Sequence, residues 1–371
     1  MHTIPEYARA AVLTGPRDIQ MQSFPVPEIT DDEILVKVEG CGICGTDVHE
    51  YKNDPFSLAP AVLGHEGTGE IVKLGKNISK DSAGRNVACG DRIVTSVLTC
   101  GECAPCTQLP GRGNLCEQLG LYGLLPDDDH YRLNGWFAEY LVLRPRSTFF
   151  VVNDMSFAQR LLIEPAAVVV HSLERAKSTQ LLKFNSHVIV QGCGPIGLLQ
   201  IAVLRTFGIE HIIAMDANPA RLEYAKSLGA EHLVNIADYP ELAQLTAKIH
   251  GLTQGVGADF GFQCTGVPQA AANLWKFIRR GGGLCEVGFF VNNGECAINP
   301  HFDMCNKEVV AVGSWAYSLQ DYPETMDFIR RATGIGLPIE KLVTHCFKLE
   351  QLAEAMEVNI RQEGIKIAIA L

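Results

Sequence analysis

Two groups of side chains in this 371-residue chain have the types and spacing of metal ligands. In the first, Cys100, Cys103 and Cys106 are followed after nine residues by Cys116. Two-residue gaps let successive sulfurs converge on one tetrahedral ion, and four thiolates close its shell. A closed shell is a structural zinc that stabilises a loop lacking its own core. Four cysteines can also hold an iron–sulfur cluster. The second group joins Cys44, Thr46 and His49 to Gly64-His65-Glu66-Gly67. A catalytic zinc takes three protein ligands and keeps one position open. Cys44 and His65 are natural ligands there, with Glu66 and Glu164 as competing candidates for the third.

A third constellation suits a dinucleotide. The apolar run Val188-Ile189-Val190-Gln191 leads into Gly192-Cys193-Gly194-Pro195-Ile196-Gly197 and then an apolar helical pattern. This G-x-G-x-x-G has the required strand–turn–helix setting. Its glycines allow a tight turn and close backbone approach to a pyrophosphate, and the helix N-terminus offers free N–H groups. Asp216 falls 24 residues after Gly192, at the end of the next apolar strand. A carboxylate there binds a ribose 2′-hydroxyl and repels a 2′-phosphate, which favours NAD. Arg221, on the following helix, keeps NADP as the less favoured alternative.

Two textures of sequence must position these groups. The first ~155 residues are rich in Gly, Pro and β-branched types, with strand signals at Ile34–Val38 and Ile71–Leu74, and read as an all-β, barrel-like domain. From ~160 to ~314, strands at 187–191, 211–215, 258–262, 283–287 and 308–312 alternate with helices that include 195–207 and 219–228. That alternation indicates a parallel sheet covered on both faces. The last ~57 residues carry one helical pattern, 349–358, and a strand, 366–370. The boundaries expected are 1–160 plus 315–371 for one domain, with a cysteine lobe at about 95–120, and 161–314 for the other.

A net charge of −11 argues against nucleic acid or an anionic membrane as partner. No run approaches the ~18 apolar residues of a membrane span. The N-terminus lacks the basic and apolar regions of a signal peptide. Thirteen cysteines, an odd number, fit thiols and metal ligands in a cytoplasmic protein better than a disulfide framework.

The runs GICGTDVHEY at 42–51, LGHEGTGEIV at 63–72, CGECAPC at 100–106, GWFAEYLVL at 135–143, IEPAAVVVHSLERA at 163–176 and GCGPIGLL at 192–199 occur in a familiar order. Together they resemble the zinc-dependent medium-chain alcohol dehydrogenases, nearest the sorbitol, threonine and polyol branch. The resemblance covers essentially the whole chain. It implies a GroES-like catalytic domain interrupted by a doubly wound Rossmann domain, an active site in the cleft between them, and a homodimer or homotetramer. It implies that Cys44 and His65 bind the catalytic zinc and that Cys100, Cys103, Cys106 and Cys116 bind a structural one. Glu66 matches a glutamate able to ligate zinc directly. Glu164 matches a position that ligates zinc or holds its water. There are two departures. The Cys106–Cys116 gap is two residues longer than usual, and Gly313-Ser314-Trp315-Ala316-Tyr317 lacks the Arg–Tyr pair of a sorbitol enzyme.

The chemistry that follows is hydride transfer between a small secondary alcohol or polyol and NAD, giving the ketone. Zinc lowers the pKa of a bound hydroxyl. The Thr46 hydroxyl, which both donates and accepts, can pass the proton to His49 and so to solvent. The resemblance implies the same relay. His171 could pack near the cofactor, with a structural role the plainer reading. Other readings are a primary-alcohol, aldehyde or hydroxy-acid dehydrogenase of the same family, a zinc-free quinone-type reductase using NADPH, and a non-enzymatic NAD-binding sensor with the cysteine lobe as thiol switch. An exposed edge strand near 308–312 would favour subunit pairing.

Overall fold

The computed structural model describes residues 3–126 and 131–371. Its contacts divide the chain into two compact units. The first comprises 1–164, 317–323 and 340–371, and the second 165–316 and 324–339.

The first unit is built on strands. Tyr7–Gly15 pairs with Asp18–Pro25 and, on its other side, with Ala61–Val62. A seven-stranded sheet runs in the order Val343–Lys348, Lys366–Ala370, Ile34–Gly42, Glu66–Leu74, Arg92–Thr95 and Phe149–Val151, with Tyr140–Leu143 also joined to Ile34–Gly42. Ile34–Gly42 is central to it. Its residues are buried on both faces apart from Lys37 and Glu39, which is why the run shows little apolar–polar alternation. The register opposes Gly42 to Glu66 on one side and to Ala368 on the other. One row of this sheet therefore gathers segments some 300 residues apart in sequence. The core beneath it includes Ile34, Val36, Trp136, Phe137, Leu141 and Ile369.

The second unit holds a six-stranded parallel sheet. Its strands are Val188–Gln191, Ile212–Asp216, His232–Asn235, Ala258–Gln263, Ile278–Glu286 and Val310–Gly313. Numbered in chain order they lie 3-2-1-4-5-6, the doubly wound arrangement that reverses beside its first strand. Val310–Gly313 is an edge of this sheet and is largely exposed.

The expected strands and helices at 195–207, 219–228, 349–358 and 366–370 all form, with boundaries shifted by a residue or two where they differ and the 349–358 segment starting as a 3-10 turn. The C-terminal segment carries one helix and one strand, Val343–Lys348, more than the sequence pattern indicates. Asp321–Gly334 is helical, burying Tyr322, Thr325, Met326, Ile329 and Ala332, an i, i+3, i+4, i+7 stripe diluted by polar neighbours. Residues 324–339 also belong to the second unit, whereas the sequence assigned 315–371 to the first. Among the described residues, no helix is long and apolar enough to cross a membrane.

Candidate metal and cofactor sites

Cys44 stands at the N-cap of the helix Gly45–Asn53, and His65-Glu66 opens the strand Glu66–Leu74. Asp47, fully buried, ties these two segments together. Its Oδ2 accepts the Cys44 N–H at 2.9 Å, its Oδ1 accepts the Gly64 N–H at 3.1 Å, and His65 Nδ1 lies 3.4 Å from that same oxygen. Two glycines make the room. A Cβ on Gly42 would sit 2.2 Å from Glu66 Oε2, and one on Gly67 would sit 2.0 Å from the Trp136 ring. Those clashes explain why the strand row that carries Glu66 needs glycine on either side of it.

Ligand atoms of Cys44, His65 and Glu66 all lie within 4.8 Å of one another. His65 Nδ1 is buried and makes no hydrogen bond of good geometry. Burial opposes a charge on His65, but Asp47 and Cys44 outweigh it and push its pKa well up. Glu164, from the helix Phe157–Lys177, is 9% exposed. Burial pushes its carboxyl up to about 7, His65 pulls the other way and Glu66 adds to the rise. Cys44, His65, Glu66 and Glu164 therefore share one neighbourhood, and the compact ligand set within it contains Glu66. A soft sulfur, a buried imidazole braced by a carboxylate at Nδ1 and a carboxylate make a donor set that fits zinc.

Thr46 is buried in the first turn of the same helix, and its Oγ1 lies 3.7 Å from Cys44 Sγ. His49 is half-buried on the next turn, with its pKa lowered by burial and by Lys52.

Three residues of this neighbourhood carried no signal that singled them out. Lys366, 2% exposed on the last strand, donates to both Glu66 oxygens at 2.6 Å. Tyr317 and Ser96 are each 1% exposed with hydroxyls that make no hydrogen bond of good geometry. Glu164 and Tyr322 lie near enough to Tyr317 to raise its pKa, after burial itself. Lys366 sits in a run that reads as plain strand, and only the sheet register brings it to Glu66.

The second ligand group holds together. The sulfurs of Cys100, Cys103, Cys106 and Cys116 lie within 4.8 Å of one another. Two of their separations are 3.5 Å (Cys100–Cys116) and 3.9 Å (Cys103–Cys116). A zinc tetrahedron with Zn–S of about 2.3 Å has S–S edges of about 3.8 Å. These distances match that figure and exceed a disulfide bond. Backbone N–H groups of Cys100, Cys103 and Gln118 point at the sulfurs, which suits thiolates. All thirteen cysteines are free.

In the second unit, Gly192 adopts φ +94° and its N–H donates to the Met215 carbonyl at 2.7 Å. Asp216 Oδ2 accepts the Cys193 N–H at 2.7 Å and its Oδ1 accepts the Asn218 N–H at 2.8 Å. The carboxylate thus fastens the glycine turn to the end of the second strand. Gly194 caps the helix Pro195–Phe207 with Pro195 at its first position, and no side chain satisfies the helix N-terminus. Free N–H groups at such an end suit a phosphate. Gly197, in the first turn, packs directly on the Gly192 carbonyl. Arg221 keeps a buried Nε without a hydrogen-bond partner. His171 is buried in the helix Phe157–Lys177, which fits the structural reading.

Comparison with known proteins agrees with this geometry. Residues 30–153 match the alcohol dehydrogenase GroES-like domain, and residues 195–331 match the zinc-binding dehydrogenase domain. The chain is 34% identical over 374 residues to the sorbitol dehydrogenase of Bacillus subtilis, covering 99% of this chain and 98% of that one. It is 30% identical to the L-threonine 3-dehydrogenase of Shewanella woodyi, over 95% and 96% of the two chains. An alcohol dehydrogenase of Thermotoga maritima superposes with a TM-score of 0.91 at 26% identity, over 98% and 99% of the chains. The chain therefore belongs to the zinc-dependent medium-chain dehydrogenases, enzymes that act on CH–OH groups, with a GroES-like domain and a Rossmann-type NAD(P)-binding fold. The non-enzymatic sensor and the zinc-free reductase find no support beside this kinship.

Proposed function

We propose that the protein oxidises a secondary alcohol or polyol to the ketone with NAD as hydride acceptor, using one catalytic and one structural zinc per chain. The observation that carries this is the convergence of ligand atoms of Cys44, His65 and Glu66 within 4.8 Å of one another, with Asp47 beside His65 Nδ1 to hold the ring. Zinc, when bound, supplies Lewis acidity at the alcohol oxygen, and the dinucleotide supplies the hydride acceptor. Cys44 and His65 hold the metal. Glu66 would be available as the third donor, and Glu164 would face the substrate side of the site. The Thr46 hydroxyl accepts the alcohol proton as it passes its own on, and His49 moves that proton towards solvent. Asp47 orients His65 and the Cys44 backbone. The buried hydroxyls of Tyr317 and Ser96, near Glu164, suit a substrate that carries further hydroxyl groups. The family kinship with a sorbitol enzyme supports the same substrate class.

In this reading the first unit is the catalytic domain and the second binds the dinucleotide on Gly192, Gly194, Pro195, Ile196 and Gly197. Asp216 takes the adenosine ribose, and Arg221 leaves NADP as the weaker acceptor. Cys100, Cys103, Cys106 and Cys116 hold the structural zinc. The exposed edge Val310–Gly313 pairs copies into a cytoplasmic homodimer or homotetramer. The test is metal analysis together with NADH formation over a panel of secondary alcohols and sugar alcohols. Two zinc ions per chain are expected, and Cys44→Ser should lose one of them along with turnover. Full turnover in Cys44→Ser would overturn the assignment.

A further inference from the structure

Lys366 is the one ammonium placed against a candidate metal ligand among the described residues. Its side chain is 3% exposed, and that of Glu66 is 1% exposed. Nζ donates to Glu66 Oε1 and Oε2 at 2.6 Å each and to the Ile43 carbonyl at 3.2 Å. The Lys366–Glu66 contact is an ion pair held almost out of solvent. The three ammonium protons are thus used on the residue before Cys44 and on both oxygens of Glu66. Both oxygens that a metal at Cys44 and His65 would seek are already hydrogen-bonded.

We propose that Lys366 is a positioning residue that competes with the catalytic metal for Glu66. It neutralises Glu66 when the metal is absent and makes Glu66 a conditional ligand when the metal is present. This rests on reading Cys44 and His65 as metal ligands. The physical reason is charge. A carboxylate oxygen has lone pairs for both an ammonium and an ion, so sharing is geometrically allowed. Two cations on one buried carboxylate nevertheless repel strongly, because little solvent screens them. Without Lys366, Glu66 would be a buried carboxylate whose only counter-charge is the metal, and the ion would be gripped harder. Without the metal, Lys366 spares the protein an uncompensated buried charge.

The test measures metal release from loaded enzyme to excess chelator, with Cys44→Ser reporting the cysteine-lobe ion alone. Starting from loaded protein avoids dependence on whether metal-free Lys366→Met stays folded. Lys366→Met should release the catalytic ion about tenfold more slowly than wild type, since a like charge is removed from a poorly screened site. Lys366→Arg, which keeps the charge, should stay close to wild type. In a Glu66→Gln background the Lys366→Met effect should disappear, which a merely structural role would not produce. Equal or faster release from Lys366→Met, or the same slowing in the Glu66→Gln background, overturns the proposal. If Cys44→Ser retains as much metal as wild type, it is the metal assignment that fails instead.

Discussion

Two glycines of the turn at 192–197, Gly194 and Gly197, can be told apart by single alanine substitutions. A Cβ on Gly197 would stand 1.7 Å from the Gly192 carbonyl oxygen, whereas real Cβ contacts stay beyond 3.0 Å. The helix start and the turn must separate by at least 1.3 Å, the difference of those distances. Both partners are backbone, so no rotamer relieves the clash. Overpacking of this kind costs about 1–3 kcal/mol, and the upper end applies here. The displaced turn also carries the N–H groups that would face a pyrophosphate. Losing one charge-assisted hydrogen bond there costs about 1.5–3 kcal/mol, or roughly 10- to 150-fold in affinity. Gly194 is the contrast. It has φ −72° and nothing within 4 Å of its would-be Cβ, so alanine fits the protein. Gly194→Ala should hold or gain about 0.4–1 kcal/mol of stability. Its methyl group would nonetheless occupy the approach of a phosphate, so dinucleotide affinity should fall. Urea unfolding and NADH fluorescence titration on the two variants measure both quantities. The reasoning is refuted if Gly197→Ala binds NADH within twofold of wild type with unchanged stability.

Two further outcomes are expected. Thr46→Ala should lower kcat about 100-fold at saturating alcohol, with NADH affinity unchanged and Thr46→Ser largely restoring the rate; wild-type kcat in the alanine variant would exclude the relay. Glu50, fully buried with neither oxygen in a good hydrogen bond, has its carboxyl pushed up to about 7 by burial and then by Asp54. The folded state therefore binds more protons than the unfolded one between about pH 4.5 and 7, and this group's contribution to stability falls as pH rises through that window. Glu50→Gln should lose less Tm than wild type between pH 5 and pH 8, and parallel Tm profiles would show that Glu50 does not titrate there.

Much of this protein was legible before any fold was known, and the reason is local. The four lobe cysteines lie close in sequence, so spacing alone implied a shared ion, and their sulfurs do gather. The glycine turn, its flanking strand and its helix are contiguous, and each shows its own periodicity and breakers. The helix Pro195–Phe207 and the strand Lys366–Ala370 form where their patterns placed them. The helix Asp321–Gly334 was hidden because its apolar stripe is thin and only packing reveals which residues it buries.

What only the tertiary structure decided is which distant groups share one small volume. Sequence left Glu66 and Glu164 as equal rivals, since nothing in either segment records its distance from Cys44. The sheet register, with Gly42 opposite both Glu66 and Ala368, puts Glu66 in the compact set and brings Lys366 against it from 300 residues away. Spacing encodes a site when its ligands sit on one turn. When they come from separate strands, the hydrogen-bond register between those strands sets the distances, and that register is a property of the folded sheet.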